Sequence, residues 1–267
     1  MDRPIRGFGA IRDHLDRGDE RPTVVTDSAK LIGHLVTVDP GALEVSILTR
    51  SSTLDAVIDV AYLRWTLQEC IDRGASTVHH ESVAHRVNVV VWTDQLLVIL
   101  EDDGTVAGLL AHDRALTGAI GRCVDRRLDD ATVHAPEGPP LRTVIDALDD
   151  HLGAAVRAAA IGALAAEWLA RLEGRSPPAI EVVLLAAARW ECLLGSVADW
   201  AAEVEVANRG EVSRAKDRLV DAGFVETTAE VEGEGRPPLR LHLDDTTPRR
   251  APDEAYARLA SRILEVE

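Results

Sequence analysis

The order of apolar and polar positions divides the chain into a strand-rich first half and a helix-rich second half. In the first half, short β-branched runs alternate with helical ones, the pattern of an α/β or α+β domain. Pro22–Thr26 reads as a strand, Ser28–Thr37 as a helix and Glu44–Thr49 as a second strand. Ser51–Asp55 supplies the start signal for one long helix that runs to Arg73, where Gly74 stops it. Thr77–Glu81, Val87–Trp92, Gln95–Glu101 and Thr105–Leu110 read as further strands. Turn signals at Thr93-Asp94 and Asp102-Asp103-Gly104 make this stretch an antiparallel meander. A helix from Asp113 to Leu128 closes the domain.

His134–Pro140 is rich in Pro and Gly and reads as a linker. Leu141–Leu172 then has helical period, with Gly153 as its breaking point. Leu141, Ile145, Leu148, Leu152, Ala155, Ala159, Gly162 and Ala166 form one stripe that narrows to small residues. Small side chains permit close helix approach, so the stripe is expected to pair with its copy in a homodimer. Packing against the N-terminal domain is the alternative. Gly174–Pro178 is a second linker.

After Pro178 the pattern becomes more specific. Ala179–Leu194 is a mainly apolar helix, Val197–Val204 a short second helix carrying Trp200, and Glu205–Asn208 a brief turn. In the third helix, Arg209–Ala222, positions Val212, Ala215, Leu219 and Ala222 share one face. Arg209, Gly210, Ser213, Arg214 and Asp217 share the other, and Gly223 ends the helix. Two strand-like runs, Phe224–Val231 and Leu239–Leu243, flank a tip at Glu232–Pro238. Helix, helix, recognition helix and hairpin make a winged helix-turn-helix. The expected architecture is thus an α/β sensor-like domain over 1–135, a helical connector over 136–175 and a winged helix-turn-helix with a C-terminal helix over 176–267.

Composition changes this picture in one respect. The net charge is −16, whereas a DNA-binding domain usually carries a basic footprint. Only two of the 29 basic residues are lysines, Lys30 and Lys216. An acidic, Lys-poor, Arg-rich chain suits a salt-loaded archaeon, where carboxylates keep proteins hydrated and dispersed. An ordinary acidic protein is the bland alternative. The first sixteen residues lack an apolar core and read as no secretory leader. No apolar run is long enough to span a membrane, so a cytoplasmic protein is expected. Cys70, Cys123 and Cys192 are too few and too scattered for a disulfide framework.

Roles follow from side-chain chemistry. Arg214 is the candidate for guanine readout, because its fork bonds O6 and N7 together, with Ser213 beside it. Arg209, Lys216 and Arg218 flank the helix as candidate phosphate contacts on double-stranded DNA. Arg236, between Gly235 and Pro237 at the tip, is placed to enter a minor groove. Asp217 opposes this scheme, since a carboxylate facing DNA repels phosphate unless it accepts from a cytosine amino group. Phosphate contacts weaken steeply with salt, so base readout and the doubled contacts of a dimer are expected to carry binding.

The run Val212–Val225 looks like the recognition helix and first wing strand of MarR-, ArsR- and TrmB-type regulators. More closely, the chain resembles the TbsP family of haloarchaeal transcriptional regulators. The resemblance is carried by Leu193–Val204, by the Ser213-Arg214, Lys216 and Arg218-Leu219 run, and by Gly235-Arg236-Pro237 with Leu239-Arg240-Leu241. Weaker matches are Ser52–Asp55, Val106–Leu109 with His112-Asp113, and Leu152-Gly153 with Val156. It implies an archaeal regulator of metabolic genes with a sensor-like N-terminal domain. The chain departs from relatives at Glu211 and Asp217.

Other chemistry is sparse. His79, His80 and His85 have no cysteine at ligand spacing and only Glu81 beside them, so no metal site is assigned. Gly7-Phe8-Gly9 lacks the third glycine and preceding strand of a dinucleotide site. No nucleophile elbow, phosphate loop or zinc-protease motif is present, and neither an enzyme nor a cofactor is expected. Two uses of the N-terminal domain stay open: sensing a small metabolite, or docking on another protein.

Overall fold

A computed structural model describes residues 5–15, 21–37, 44–74, 76–81, 88–102, 105–134, 137–174, 177–230, 237–244 and 258–260. The chain divides into two compact units, Met1–Glu137 and Gly138–Glu267.

The first unit contains β1 (Ile5–Arg6), α1 (Phe8–Leu15), β2 (Thr23–Thr26), α2 (Ala29–Thr37), β3 (Val45–Arg50), α3 (Ser51–Ile58), α4 (Ala61–Asp72), β4 (Ser76–Glu81), β5 (Asn88–Val91), β6 (Leu96–Asp102), β7 (Thr105–Ala111), α5 (Arg114–Asp130) and β8 (Thr132–His134). All eight strands join one sheet in the order β1-β7-β6-β5-β2-β3-β4-β8. β2, β3 and β4 are parallel, because each pair is joined by a helical crossover. The β5-β6-β7 meander is antiparallel and extends the sheet from the edge of β2. The side chains of Val25, Leu48, Val89, Val91 and Leu96 pack with Val124 of α5. The positions that alternate with them, Val24, Ile47, Val90 and Leu97, are fully buried on the opposite face. The mixed α+β class read from the sequence is therefore present.

Several boundaries differ from the expected ones. The single helix over 51–73 is two, because Val60 adopts an extended backbone (φ −88°, ψ 105°). Burial of Val57, Leu63 and Trp65 at 4% or less decides that break, which no Gly or Pro announces. At the start of α3 it is Arg50 that occupies the cap position, and it makes no side-chain capping bond. Asp113 does cap α5, its Oδ1 accepting from the backbone N–H of Ala115 (2.8 Å) and Leu116 (3.0 Å). Thr132–His134, at the edge of the expected linker, is a strand on β4.

The second unit contains α6 (Leu141–Leu152), α7 (Ala154–Leu172), α8 (Ala179–Arg189), α9 (Leu194–Glu203), α10 (Arg209–Asp221), β9 (Val225–Ala229) and β10 (Leu239–Leu243). α8, apolar except for Glu181 and Arg189, is buried along most of its length. α7 packs on α8, and α6 packs on α7 and α9. Gly153, at φ 88°, separates α6 from α7 and resets the helical phase. The expected continuous stripe is consequently divided. Leu141, Leu148 and Ala159 face inward, whereas Ala155, Gly162 and Ala166 are exposed. The inward face of α7 is instead Val156, Ala159, Ala160, Ala163, Leu164 and Trp168.

Candidate DNA-binding interface

α9 and α10 are joined by a turn in which Glu205 takes a positive φ of 53°. The backbone N–H groups of Val206 (2.9 Å) and Ala207 (3.3 Å) both donate to the carbonyl of Ala201, closing the end of α9. Asn208 then caps α10. Its side-chain oxygen accepts from the Glu211 N–H at 3.0 Å, and the Glu211 carboxylate accepts from the Asn208 N–H at 2.8 Å. This reciprocal box satisfies two donors that a helix start leaves free. Glu211 thus serves the start of the helix, and the pattern Asn208-x-x-Glu211 is its sequence signal.

The inner face of α10 consists of Val212, Ala215 and Leu219, each 1% exposed or less. They seat the helix against α8 and α9, around Trp200. Gly223, at φ 73°, ends the helical run and turns the chain into β9. β9 and β10 form an antiparallel hairpin from Val225 opposite Leu243 to Ala229 opposite Leu239. A third short segment joins them: Leu193 bridges Arg240, and the Leu241 N–H donates to the Cys192 carbonyl at 2.9 Å. The segment between α8 and α9 is thereby tied to the base of the wing. This strand was not foreseen, because one bridge carries no alternation to read.

Arg209, Gly210, Ser213, Arg214, Asp217 and Arg218 are exposed, and Lys216 is half-buried. Their charges are not equivalent. Arg209 donates to Asp199 of α9 at 2.6 Å while remaining 76% exposed. The ammonium of Lys216 lies against the carboxylate of Asp217. Arg218 donates through Nε to Glu181 of α8 at 2.7 Å, and that carboxylate is fully buried. Arg214 has no ion-pair or hydrogen-bond partner among the described residues. A Cβ at Gly210 would stand in ordinary contact, 3.8 Å, with its Nη1, but only 3.2 Å from the capping oxygen of Asn208, so the missing side chain keeps the cap uncrowded. Arg236 and the wing tip lie outside the described residues.

Residues 140–261 match the family of transcriptional regulators described as TbsP-like, C-terminal HTH domain. The C-terminal unit is a TbsP-like helix-turn-helix domain. It gives the chain the DNA-binding part of a transcriptional regulator, in agreement with the resemblance read from Leu193–Leu241. Among solved structures, the chain is similar to TrmBL2, an archaeal chromatin protein whose structure is described as showing a novel mode of DNA binding. That likeness has a TM-score of 0.33 and 10% identity over 48% of this chain. It spans 52%, about half, of the other protein. No curated protein matches.

Within the TbsP-like domain, two further residues escaped the sequence reading. Arg240 donates through Nε to Glu230 at 2.5 Å and through Nη1 to the Glu191 carbonyl, fastening the wing strands to the α8–α9 segment. His242 Nε2 shares a hydrogen bond of 2.8 Å with the Thr228 hydroxyl across the hairpin. Cys192 sits beside this joint, and burial pushes its thiol pKa up, with Arg240 pulling the other way.

Elsewhere, His79 and His80 are consecutive positions of β4, and His85 lies outside the described residues. No cluster of three His, Cys, Asp or Glu side chains is arranged for a metal among the described residues. No described helix is long and apolar enough to cross a membrane.

Proposed function

We propose that the chain is a sequence-specific regulator of metabolic genes in a salt-adapted archaeon. α10 lies in the major groove, with Arg214 and Ser213 on base edges and the close backbone at Gly210 against the sugar-phosphate chain. The observation that carries this reading is the state of Arg214, the one arginine of α10 that is exposed without a partner among the described residues. Arg209 exchanges Asp199 for a phosphate on binding, and Lys216 does so only when Asp217 releases it. Arg218 stays on Glu181 and holds α10 at its angle. Arg236 reaches an adjoining groove from the wing.

Two copies bind one operator, because single-domain contacts are too weak at high salt. The N-terminal unit senses a small metabolite and alters the affinity of the dimer. A docking role for the same unit has its own support. Leu100, Leu109 and Leu116 are 53%, 51% and 47% exposed, an apolar area of the kind that protein partners cover.

Genome-wide mapping of bound DNA tests the central claim. Occupancy beside metabolic promoters that disappears in Arg214→Ala is the expected result. Unchanged occupancy in that variant would remove Arg214 from base readout.

A further inference from the structure

The first unit contains a cleft of about 460 Å³ between the sheet and α5. It lies at the start of β2 and the end of β5, lined by Thr23 and Val91-Trp92-Thr93, rather than beyond the C-terminal ends of the parallel strands. One face of α5 forms its wall: Thr117, Gly118, Gly121, Arg122 and Asp125. The two glycines are what open it. A Cβ at Gly121 meets nothing within 4 Å, and one at Gly118 would first meet the Arg122 guanidinium at 3.5 Å.

The chemistry of the lining is specific. Arg21 enters from the strand side, with one guanidinium nitrogen bonded to the Gly74 carbonyl at 2.5 Å. Arg122 enters from the helix, and its guanidinium has no partner among the described residues. Thr117 is 1% exposed, yet its hydroxyl oxygen has no hydrogen-bond partner among the described residues, an expensive state for a buried polar atom. Two guanidinium groups therefore meet one carboxylate, Asp125, in a protein whose overall charge is −16. The floor is apolar, from Val91, Trp92 and Val124. The volume falls within the range of metabolite sites.

We infer that this cleft binds a small hydroxylated organic anion. Arg21 and Arg122 hold its phosphate or carboxylate by charge-assisted hydrogen bonds. Asp125 and Thr117 hold its hydroxyls, and Trp92 packs on its carbon skeleton. This inference rests on the proposed sensing role of the N-terminal unit and assigns the site for it.

Titration calorimetry of the full chain with glucose 6-phosphate, gluconate and glucose tests it. At least one of the two anions binds saturably, and glucose binds at least about tenfold more weakly. The preferred anion separates a phosphate site from a carboxylate site. Arg122→Ala weakens that anion at least about tenfold, and Gly121→Leu, which fills the cleft while favouring the helix, abolishes binding. Arg6→Ala, on the edge strand β1 three strands away from β5, leaves it unchanged. Circular dichroism confirms that each variant is folded. Absence of saturable binding by both anions, equal binding of glucose, or full affinity in Arg122→Ala overturns the inference. Operator affinity is measured on the same preparations. Intact operator binding with no anion binding refutes the cleft and spares the DNA-binding reading. Arg122-dependent anion binding with no operator binding does the reverse.

Discussion

The Nε of Arg218 donates at 2.7 Å to the carboxylate of Glu181, a residue with no solvent exposure in the first turn of α8. The arginine remains 54% exposed. A residue on α10, the proposed recognition helix, is therefore an anchor whose charge is already committed to the protein. Removing Arg218 takes a cation away from a buried carboxylate, which costs on the order of a few kcal/mol. Arg218→Ala is expected to lower the urea midpoint sharply, whereas Arg218→Met with Glu181→Leu recovers most of the loss. A variant of normal stability with weakened DNA binding would return Arg218 to the phosphate contacts.

Asn208 and Glu211 separate capping from recognition. Asn208→Ala should cost about 1 kcal/mol of stability, the usual value of a lost cap. Glu211→Gln keeps a side chain able to complete the box and removes a negative charge from the DNA-facing end of α10. Its stability should be unchanged and its operator affinity several-fold higher. Lower affinity in Glu211→Gln would make that carboxylate a base-reading group.

Asp217 holds the ammonium of Lys216. Asp217→Ala is expected to free that ammonium for a phosphate, steepening the dependence of log affinity on log salt by about one unit. Arg214→Ala should instead weaken operator binding about tenfold or more while relaxing sequence preference at one base pair. Fluorescence anisotropy across a potassium chloride series distinguishes the two. Identical salt slopes for wild type and Asp217→Ala would contradict the assignment of Lys216.

His34 of α2 stacks on Phe8 of α1 at a centroid distance of 3.6 Å. Its pKa is lowered by burial first; Glu101 opposes the shift and Lys30 adds to it. A histidine held neutral by the fold contributes stability at pH above its unfolded value of 6.5, lost as pH falls through the depressed folded pKa. The melting temperature should thus fall on acidification below about pH 6.5, and less steeply in His34→Phe. Parallel pH profiles for the two proteins would exclude His34 as the cause.

Much of this architecture was legible in the residues. The three-and-four spacing of Val212, Ala215 and Leu219 marked the inner face of α10, and Gly223 marked its end, because helical period and a left-handed stop are local properties. The meander was legible for the same reason, its turns being written in Asp and Gly. The break at Val60 was not, since packing of Val57 and Leu63 imposes it. Nor was β8, whose three residues become a strand only by pairing with β4.

By itself, then, the sequence determined the element types, the helix-turn-helix order and which side of α10 meets solvent. Only the tertiary structure decided which charges on that side remain available. Arg209 finds its carboxylate 10 residues away and Arg218 finds its own 37 residues away. An ion pair forms where folding brings two groups within hydrogen-bond reach, and no spacing along the chain records that distance. Arg214 is left over by those pairings, and so becomes the residue on which recognition is proposed to rest.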